Sequence, residues 1–578
     1  MNQDQIPPPL VVGMTNGLSM NRFLTILAVA VLAVLNLAGW WWFNRPVPVE
    51  LSFNEPFPSV SFAPFRRGQG PIAKIYPSPA EIEADMKSLV GVARGVRTYT
   101  SREGLDIVPE LGRKYGIEVT HSAWLGQKPA INDAEVDALI KAANAYPDVI
   151  KRVIVGNEVL LRQDLPPEQL IANIRKVKAA VKQPVSYADV WAFWLKYPEV
   201  AKEVDFLTIH ILPYWEDEPI GVDGAAKHIV AIYKRMAEQF GKPILIGEAG
   251  WPTRGRSRGP AVADMENAAR FVRTLALVSK ENGFDYNVVE AFDQPWKAFL
   301  EGTVGAKWGV VDENRRVKYA MSGPVEPSPD WPRHAAAALL IGVSLSVAVL
   351  WRRPERYGLK GGLFVALLAQ LAGLFIVWQG VNAFAMAYDG LEDAWAWGRI
   401  ALHAVLAVVV VRAAGHGFER QARPVNWPWA EKIMPIYGFS AIVVGATLLL
   451  HGRYRDIPPV EFLMPCLGVT LYGLGRMAVQ GKGWEEAFAV GRLFGGGGFP
   501  AARRFVAGLA LSALAAPLSE AWALSRGDDF ITSHPQWSDR IPLLLRALWE
   551  NHEMTVWAVA VVLMILPYWA EARLRGRP

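Results

Sequence analysis

Two glutamates close apolar runs of strand length. Ile244-Leu245-Ile246-Gly247-Glu248-Ala249-Gly250-Trp251-Pro252 ends on one carboxylate and is then broken by glycine, tryptophan and proline. About ninety residues upstream, Arg152-Val153-Ile154-Val155-Gly156-Asn157-Glu158 repeats the pattern. A continuous apolar run marks a buried parallel strand. A carboxylate at its C-terminal end is where a (β/α)8 barrel keeps its chemistry. At about thirty residues per strand–helix unit, the two strands stand three units apart, on facing sides of one mouth. Two carboxylates facing each other across an aromatic-lined cleft point to glycoside chemistry.

The elements that must hold this pair are legible around it. Strand candidates are Val60–Pro64, Val92–Tyr99, Ile117–Trp124, Arg152–Glu158, Pro184–Trp191, Asp205–Leu212, Pro243–Trp251 and Asn287–Asp293. Amphipathic stretches lie between them at Pro79–Leu89, Ala134–Ala145, Pro167–Val181, Ala225–Gln239 and Asp264–Glu281. Ser78 before Pro79, with Glu81 following, is a helix start. Strand–helix alternation through eight strands is the barrel pattern, whereas doubly wound sheets stop at fewer strands.

The rest of the chain reads differently. Mean hydropathy is +0.15 over 578 residues, which already signals membrane spans. Phe23 to Phe43 is long enough to cross a bilayer and ends in Trp40-Trp41-Trp42, an interfacial anchor rather than a signal-peptide cleavage site. Residues 44–58 are proline-rich and read as a linker, and residues 59–330 as the barrel domain. From residue 331 onward, apolar runs recur near 335–351, 361–381, 397–413, 433–451, 459–479, 504–524 and 552–570, seven further spans. Ile541–Leu548 is too short to span. Arginines fill the connections at 351–356, 412–423, 481–504 and 571–577, while Tyr388 to Asp393 is purely acidic. Parity and positive charge therefore put residues 1–22 and the C-terminus in the cytoplasm and the barrel outside. The fold class expected is thus an α/β barrel joined to an N-terminal transmembrane anchor and a C-terminal all-α multispan domain. Glu461, Arg399, His403, Arg476 and Glu520 fall in or near spans, where snorkelling accounts for them.

Composition excludes several classes. Net charge is only +5 and no basic tract alternates with aromatics, so nucleic acid is not a partner. The single cysteine, Cys466, rules out an intramolecular disulfide and reads as a small core residue. No His/Asp/Glu spacing proposes a metal, and no cofactor is expected. Gly495 to Gly498 lacks the lysine of a P-loop and reads as a flexible loop.

Residues 59–322 resemble glycoside hydrolase family 17, the retaining β-1,3-glucanases and glucanosyltransferases. The likeness rests on Val155-Gly156-Asn157-Glu158, Gly247-Glu248-Ala249-Gly250-Trp251-Pro252 and Glu290-Ala291-Phe292-Asp293-Gln294-Pro295-Trp296-Lys297. Arg97-Thr98-Tyr99, His210-Ile211-Leu212-Pro213-Tyr214-Trp215 and Trp308-Gly309 follow in the family's order. The anchored, multispan form is similar to bacterial membrane proteins described as β-(1,6)-glucan synthases. The resemblance implies a glucanosyltransferase at the bacterial inner membrane, its barrel in the periplasm, building or remodelling β-1,3/β-1,6 glucan. Its partners would be β-glucan, the lipid bilayer and a glucan synthase or export complex. A plain β-1,3-glucan hydrolase is the alternative, and a glucan-binding transporter or scaffold is a further one. Family members carry Ser or Thr where this chain has Ala249, which removes one hydrogen bond near the nucleophile.

Within that resemblance Glu248 is the nucleophile and Glu158 the acid/base, with the Glu158 pKa expected to be raised. Asn157 suits the sugar 2-hydroxyl. Glu290 and Asp293 would orient the nucleophile or hold hydroxyls. Arg97 joins the site through the family pattern. Tyr99, Trp191, Tyr214, Trp251 and Trp296 are candidate walls. His210, inside a strand, reads as a satisfied core residue.

Overall fold

A computed structural model of the chain describes residues 13–576 except 352–353 and 452–453. Most of the cytoplasmic segment expected at 1–22, and the arginines at 352 and 353, therefore lie outside the described residues.

Eight parallel strands close into a barrel in sequence order: β1 (Ser59–Ser61), β2 (Gly95–Arg97), β3 (Glu118–Ala123), β4 (Ile150–Asn157), β5 (Val185–Val190), β6 (Leu207–His210), β7 (Ile244–Ala249) and β8 (Asp285–Val288). The apolar runs become strands because both faces are covered; every residue of β7 is buried. The last strand begins two residues earlier than expected and stops short of Glu290. The helix Pro79–Ser88 starts on a capping box between Ser78 and Glu81.

Register shifts interrupt the ladder at Ile154/Asn157, Ile209/His210 and Ile246/Ala249. All three lie at the C-terminal ends of strands, where an irregular ladder re-aims the side chains that follow. Asn157, His210 and Glu248 all stand at these irregularities.

Among the described residues, eight helices are long and apolar enough to cross a membrane. They are Arg22–Asn44, Trp331–Leu350, Leu359–Met386, Gly390–Gly417, Ala430–Leu450, Val460–Gln480, Ala502–Ser525 and His552–Arg575. Small residues let them approach closely: a Cβ on Gly373 would lie 2.2 Å from the Ala338 carbonyl. The first helix touches its neighbours lightly, and Asn36 Nδ2 donates to Gln370 Oε1 at 3.2 Å.

Two expectations change. The 44–58 segment is no free linker: Val49, Phe53 and Phe57 are buried against the barrel, and Arg273 donates to the carbonyls of Val49 and Leu51. The charged groups near spans do not snorkel, because the fold gives them partners. Arg399 meets Glu461 at 3.4 Å, Arg476 donates to the Ala487 carbonyl, and Glu520 is buried against Arg256 of the barrel.

Candidate active site

Glu248 ends β7 in the middle of the mouth. Gly247 before it has no room for a side chain, since a Cβ would sit 2.3 Å from Thr208 Cγ2. That closeness lets Arg97 Nη1, from the end of β2, donate to the Gly247 carbonyl at 2.7 Å and to Glu248 Oε1 at 3.2 Å. Tyr99 OH donates to the same Oε1 at 2.8 Å. These two donors hold the carboxylate that lacks a hydroxyl neighbour at Ala249. Both bonds fall on Oε1 and neither engages Oε2.

Glu158 follows β4 with φ +51, a conformation unusual for a residue with a side chain. Gly156, at φ +88, begins the turn. His210 Nδ1 lies 2.9 Å from Glu158 Oε1, and its Nε2 lies 3.3 Å from Arg97 Nη1 and 3.6 Å from Glu248 Oε1. An ionised carboxylate can only accept, so Nδ1–H is the donor to Glu158 Oε1. Burial alone would raise the Glu158 carboxyl. The His210 hydrogen bond and the His210, Arg162 and Arg97 charges outweigh it, and the group sits below its ordinary value. This reverses the expected rise: Arg162 stands four residues on, but Arg97 and His210 come from distant strands.

Ligand atoms of Glu158, His210 and Glu248 all lie within 4.8 Å of one another. That is close enough for a metal. The Arg97 guanidinium already stands against two of the three, supplying the positive charge such a cluster calls for.

Arg97 Nη2 donates to Asn157 Oδ1, which fixes the orientation of the Asn157 amide. Glu290 and Asp293 stand behind the mouth. Glu290 accepts from Gln294 Nε2 at 2.7 Å and from Lys297 Nζ at 3.0 Å. Burial raises its carboxyl to about 7 against the Lys297 charge, with Glu248 and Asp293 adding to the rise. Asp293 accepts from the Gly309 amide and from Lys318 Nζ, and burial raises it too. Both therefore position lysines and backbone.

The proposed walls divide. Tyr99 and Trp296 reach the cleft surface, while Tyr214 and Trp251 are packed beneath it, Tyr214 edge-on to Trp251, Trp215 and Trp308. Trp191 is buried with its Nε1 on Glu216. These three rings were placed on the surface by their positions at strand ends, but the longer loops after β6 and β7 cover them.

Residues 59–309 match the family described as "BtgE/BtgC glycoside hydrolase domain". The barrel is similar to that glycoside hydrolase domain along nearly its whole length. A glucan 1,3-beta-glucosidase of Arthroderma benhamiae is 28% identical over 274 residues, covering 43% of this chain and 87% of that protein. One from Schizosaccharomyces pombe is 29% identical over 256 residues, covering 41% and 79%. A solved family 17 beta-1,3-glucanosyltransferase from Rhizomucor miehei is 29% identical, with 45% of this chain and 95% of that chain covered and a TM-score of 0.40.

The barrel also holds groups that sequence reading passed over. His210 is the chief one: it joins the two glutamates rather than filling the core. Asp189, at the end of β5, is pushed up to about 7 by burial and by the Glu158 charge, and Tyr187 OH donates to it. Alternating position on a strand was the only available signal, and it does not tell an inward polar group from a core one.

Proposed function

We propose that this protein is a membrane-anchored, retaining β-1,3-glucan-active enzyme that transfers more than it hydrolyses. The observation that carries the mechanism is the carboxylate spacing. Oxygens of Glu158 and Glu248 lie within 4.8 Å, nearer than the roughly 6.5–9.5 Å that an inverting enzyme keeps for its water. Glu248 Oε2 attacks the anomeric carbon and the glycosidic C–O bond breaks, with the proton on Glu158 passing to the leaving oxygen. A sugar over the mouth strips water from Glu158 and favours the protonated form it needs. An acceptor hydroxyl then attacks the glycosyl ester, returns its proton to Glu158 and releases Glu248. Asn157 contacts the 2-hydroxyl.

The glucan-directed relatives support the choice of substrate. Eight candidate spans and the arginine bias of their connections support a barrel outside the cell membrane, in a bacterium the periplasm, with glucan and lipid as its partners and a synthase or export complex as a further one. Reporter fusions after residues 322, 357, 390 and 578 are expected to read outside, inside, outside, inside.

Water is the competing acceptor, so transfer requires an acceptor hydroxyl held at high effective molarity. The full-length protein in detergent micelles, given one laminari-oligosaccharide, should yield products longer than the donor, with new β-1,6 or β-1,3 bonds by mass spectrometry and NMR. Only shorter sugars, with one new reducing end per cleavage, would make it a hydrolase.

A further inference from the structure

Among the described residues, the hydrogen bonds, ion pairs and ring contacts between the membrane half and the barrel gather at the catalytic end. From the loop after β7, Arg256 Nη2 meets Glu520 Oε2 at 2.5 Å and the Ser257 amide donates to Glu553 Oε2 at 3.0 Å. From the loop after β8, Thr303 donates through its amide and its hydroxyl to Asp456 Oδ2, each at 2.9 Å. From the loop after β1, Arg67 pairs with Asp393. From the loop after β6, the Trp215 ring lies 5.7 Å from the Tyr454 ring. Among the described residues, no hydrogen bond, ion pair or ring contact joins the loops after β2, β3 and β4 to the membrane half.

The chain path agrees. Val47 bridges to Val325 close to the start of the helix Trp331–Leu350. Val49 and Leu51 then meet Arg273 in the middle of the helix Met265–Asn282. Glu55 pairs with Lys280 near its end, and Phe57 bridges to Ala93 just before β2. Barrel helices run from mouth to base, so this segment climbs from the mouth to the base, and β1 brings the chain back. The mouth faces the membrane half and the base faces away.

A polysaccharide lies in a groove, and this groove has one half of its rim seated and the other half free. We infer that the glucan-binding cleft is built jointly by the barrel and the membrane half, a lateral slot at the membrane surface. The glucan chain enters over the free rim, past the exposed Trp124 at the end of β3. It runs to the seated side, where Trp215 and the half-exposed Tyr454 bring aromatic rings from both halves to one seam. Sugar faces pack on such rings. The membrane half is then part of the substrate site rather than a tether alone. This rests on the glucan-active reading above.

The test locks the seat. A Cβ on Gly259 would lie 3.6 Å from Ala547 Cβ, inside the range of about 3.5–4.5 Å that a disulfide spans. Gly259→Cys with Ala547→Cys in the full-length protein should form one bond on oxidation, Cys466 being buried. The oxidised enzyme should keep at least half of the reduced enzyme's turnover of laminari-oligosaccharides. Turnover below half, recovered with reductant, would show that the mouth must lift to bind glucan and would overturn the inference. Failure of the bond to form would overturn the seating itself. Because Gly259 has φ +51, a second variant stands beside it. Tyr454→Ala should raise KM for a long laminari-oligosaccharide by about threefold to tenfold more than for laminaribiose; an equal change in both, or none, also counts against the joint cleft. If Glu248→Gln, run as a control, stays active, the reading of the active site fails instead.

Discussion

Arginine, histidine and glutamate come together both in the barrel mouth and in the helical half of this chain. In the barrel mouth they are Arg97, His210 and the pair Glu158 and Glu248; in the membrane half they are Arg399, His403 and Glu461. The residue types match and the wiring does not. His210 reaches carboxylate oxygens, groups whose charge changes during a reaction. His403 directs Nδ1 at the Arg399 carbonyl and Nε2 at the Glu461 carbonyl, each at 2.8 Å. Backbone carbonyls cannot titrate, so His403 ties two helices together while His210 bears on the chemistry. A buried histidine is informative through the atoms its nitrogens meet, not through its burial, since both rings are fully buried.

The strongest way to break this contrast is to remove the carboxylate proposed as nucleophile. Glu248→Gln should cost roughly three orders of magnitude or more in kcat, as loss of a nucleophile does elsewhere. A mutant within tenfold of the parent would sink the assignment, and a mechanism-based fluoro-sugar should label Glu248 alone. Glu158→Ala should cost about 10²–10⁴-fold on natural glucans and far less on aryl glucosides, whose leaving groups need no proton. Azide should rescue that mutant as the β-glycosyl azide; an α product would mean the two glutamates exchange roles.

Tyr99→Phe tests the holding of the nucleophile. It deletes one hydrogen bond to a charged oxygen, worth about 1.5–3 kcal/mol. The expected loss in kcat/KM is thus about tenfold to a hundredfold. An unchanged rate would leave Arg97 as the sole support of Oε1.

The smallest effects sharpen the comparison between the histidines. His210 helps hold the Glu158 carboxyl down. In His210→Asn, burial is opposed by less positive charge and the Glu158 pKa rises. The acid then stays protonated to higher pH, so the alkaline limb of the kcat/KM profile should move upward. His403→Leu should leave that profile in place and instead lower the apparent melting temperature in detergent, a loss of about 1–3 kcal/mol for the Glu461 carbonyl, which has only Pro465 four residues on and so no helical donor. A profile that shifts with His403→Leu, or stays fixed with His210→Asn, would erase the distinction.

How much was readable follows the same line. The eight strands were legible because a parallel sheet buried on both faces leaves continuous apolar runs, which Ile244 to Ile246 and Val153 to Val155 display. The long apolar helices were legible because about twenty apolar residues in a row have few other uses. The last strand was placed too late because the Asn287–Asp293 run continues into a buried loop that periodicity cannot tell from a strand.

The amino-acid sequence by itself determined which residue types stand at the strand ends: Glu158, Glu248, Asn157, Arg97 and Tyr99 follow from local apolar runs and the motifs that close them. Only the tertiary structure decided what those ends meet. The contact of Arg97 with His210 joins residues 113 positions apart and that of His210 with Glu158 residues 52 apart, and burial and charge there depend on side chains brought in from other strands. The packing of Tyr214 and Trp251 beneath the cleft came from loops whose course carries no period. The seating of the mouth on the membrane half is likewise a matter of single contacts, such as Arg256 with Glu520, between segments that each read as ordinary alone.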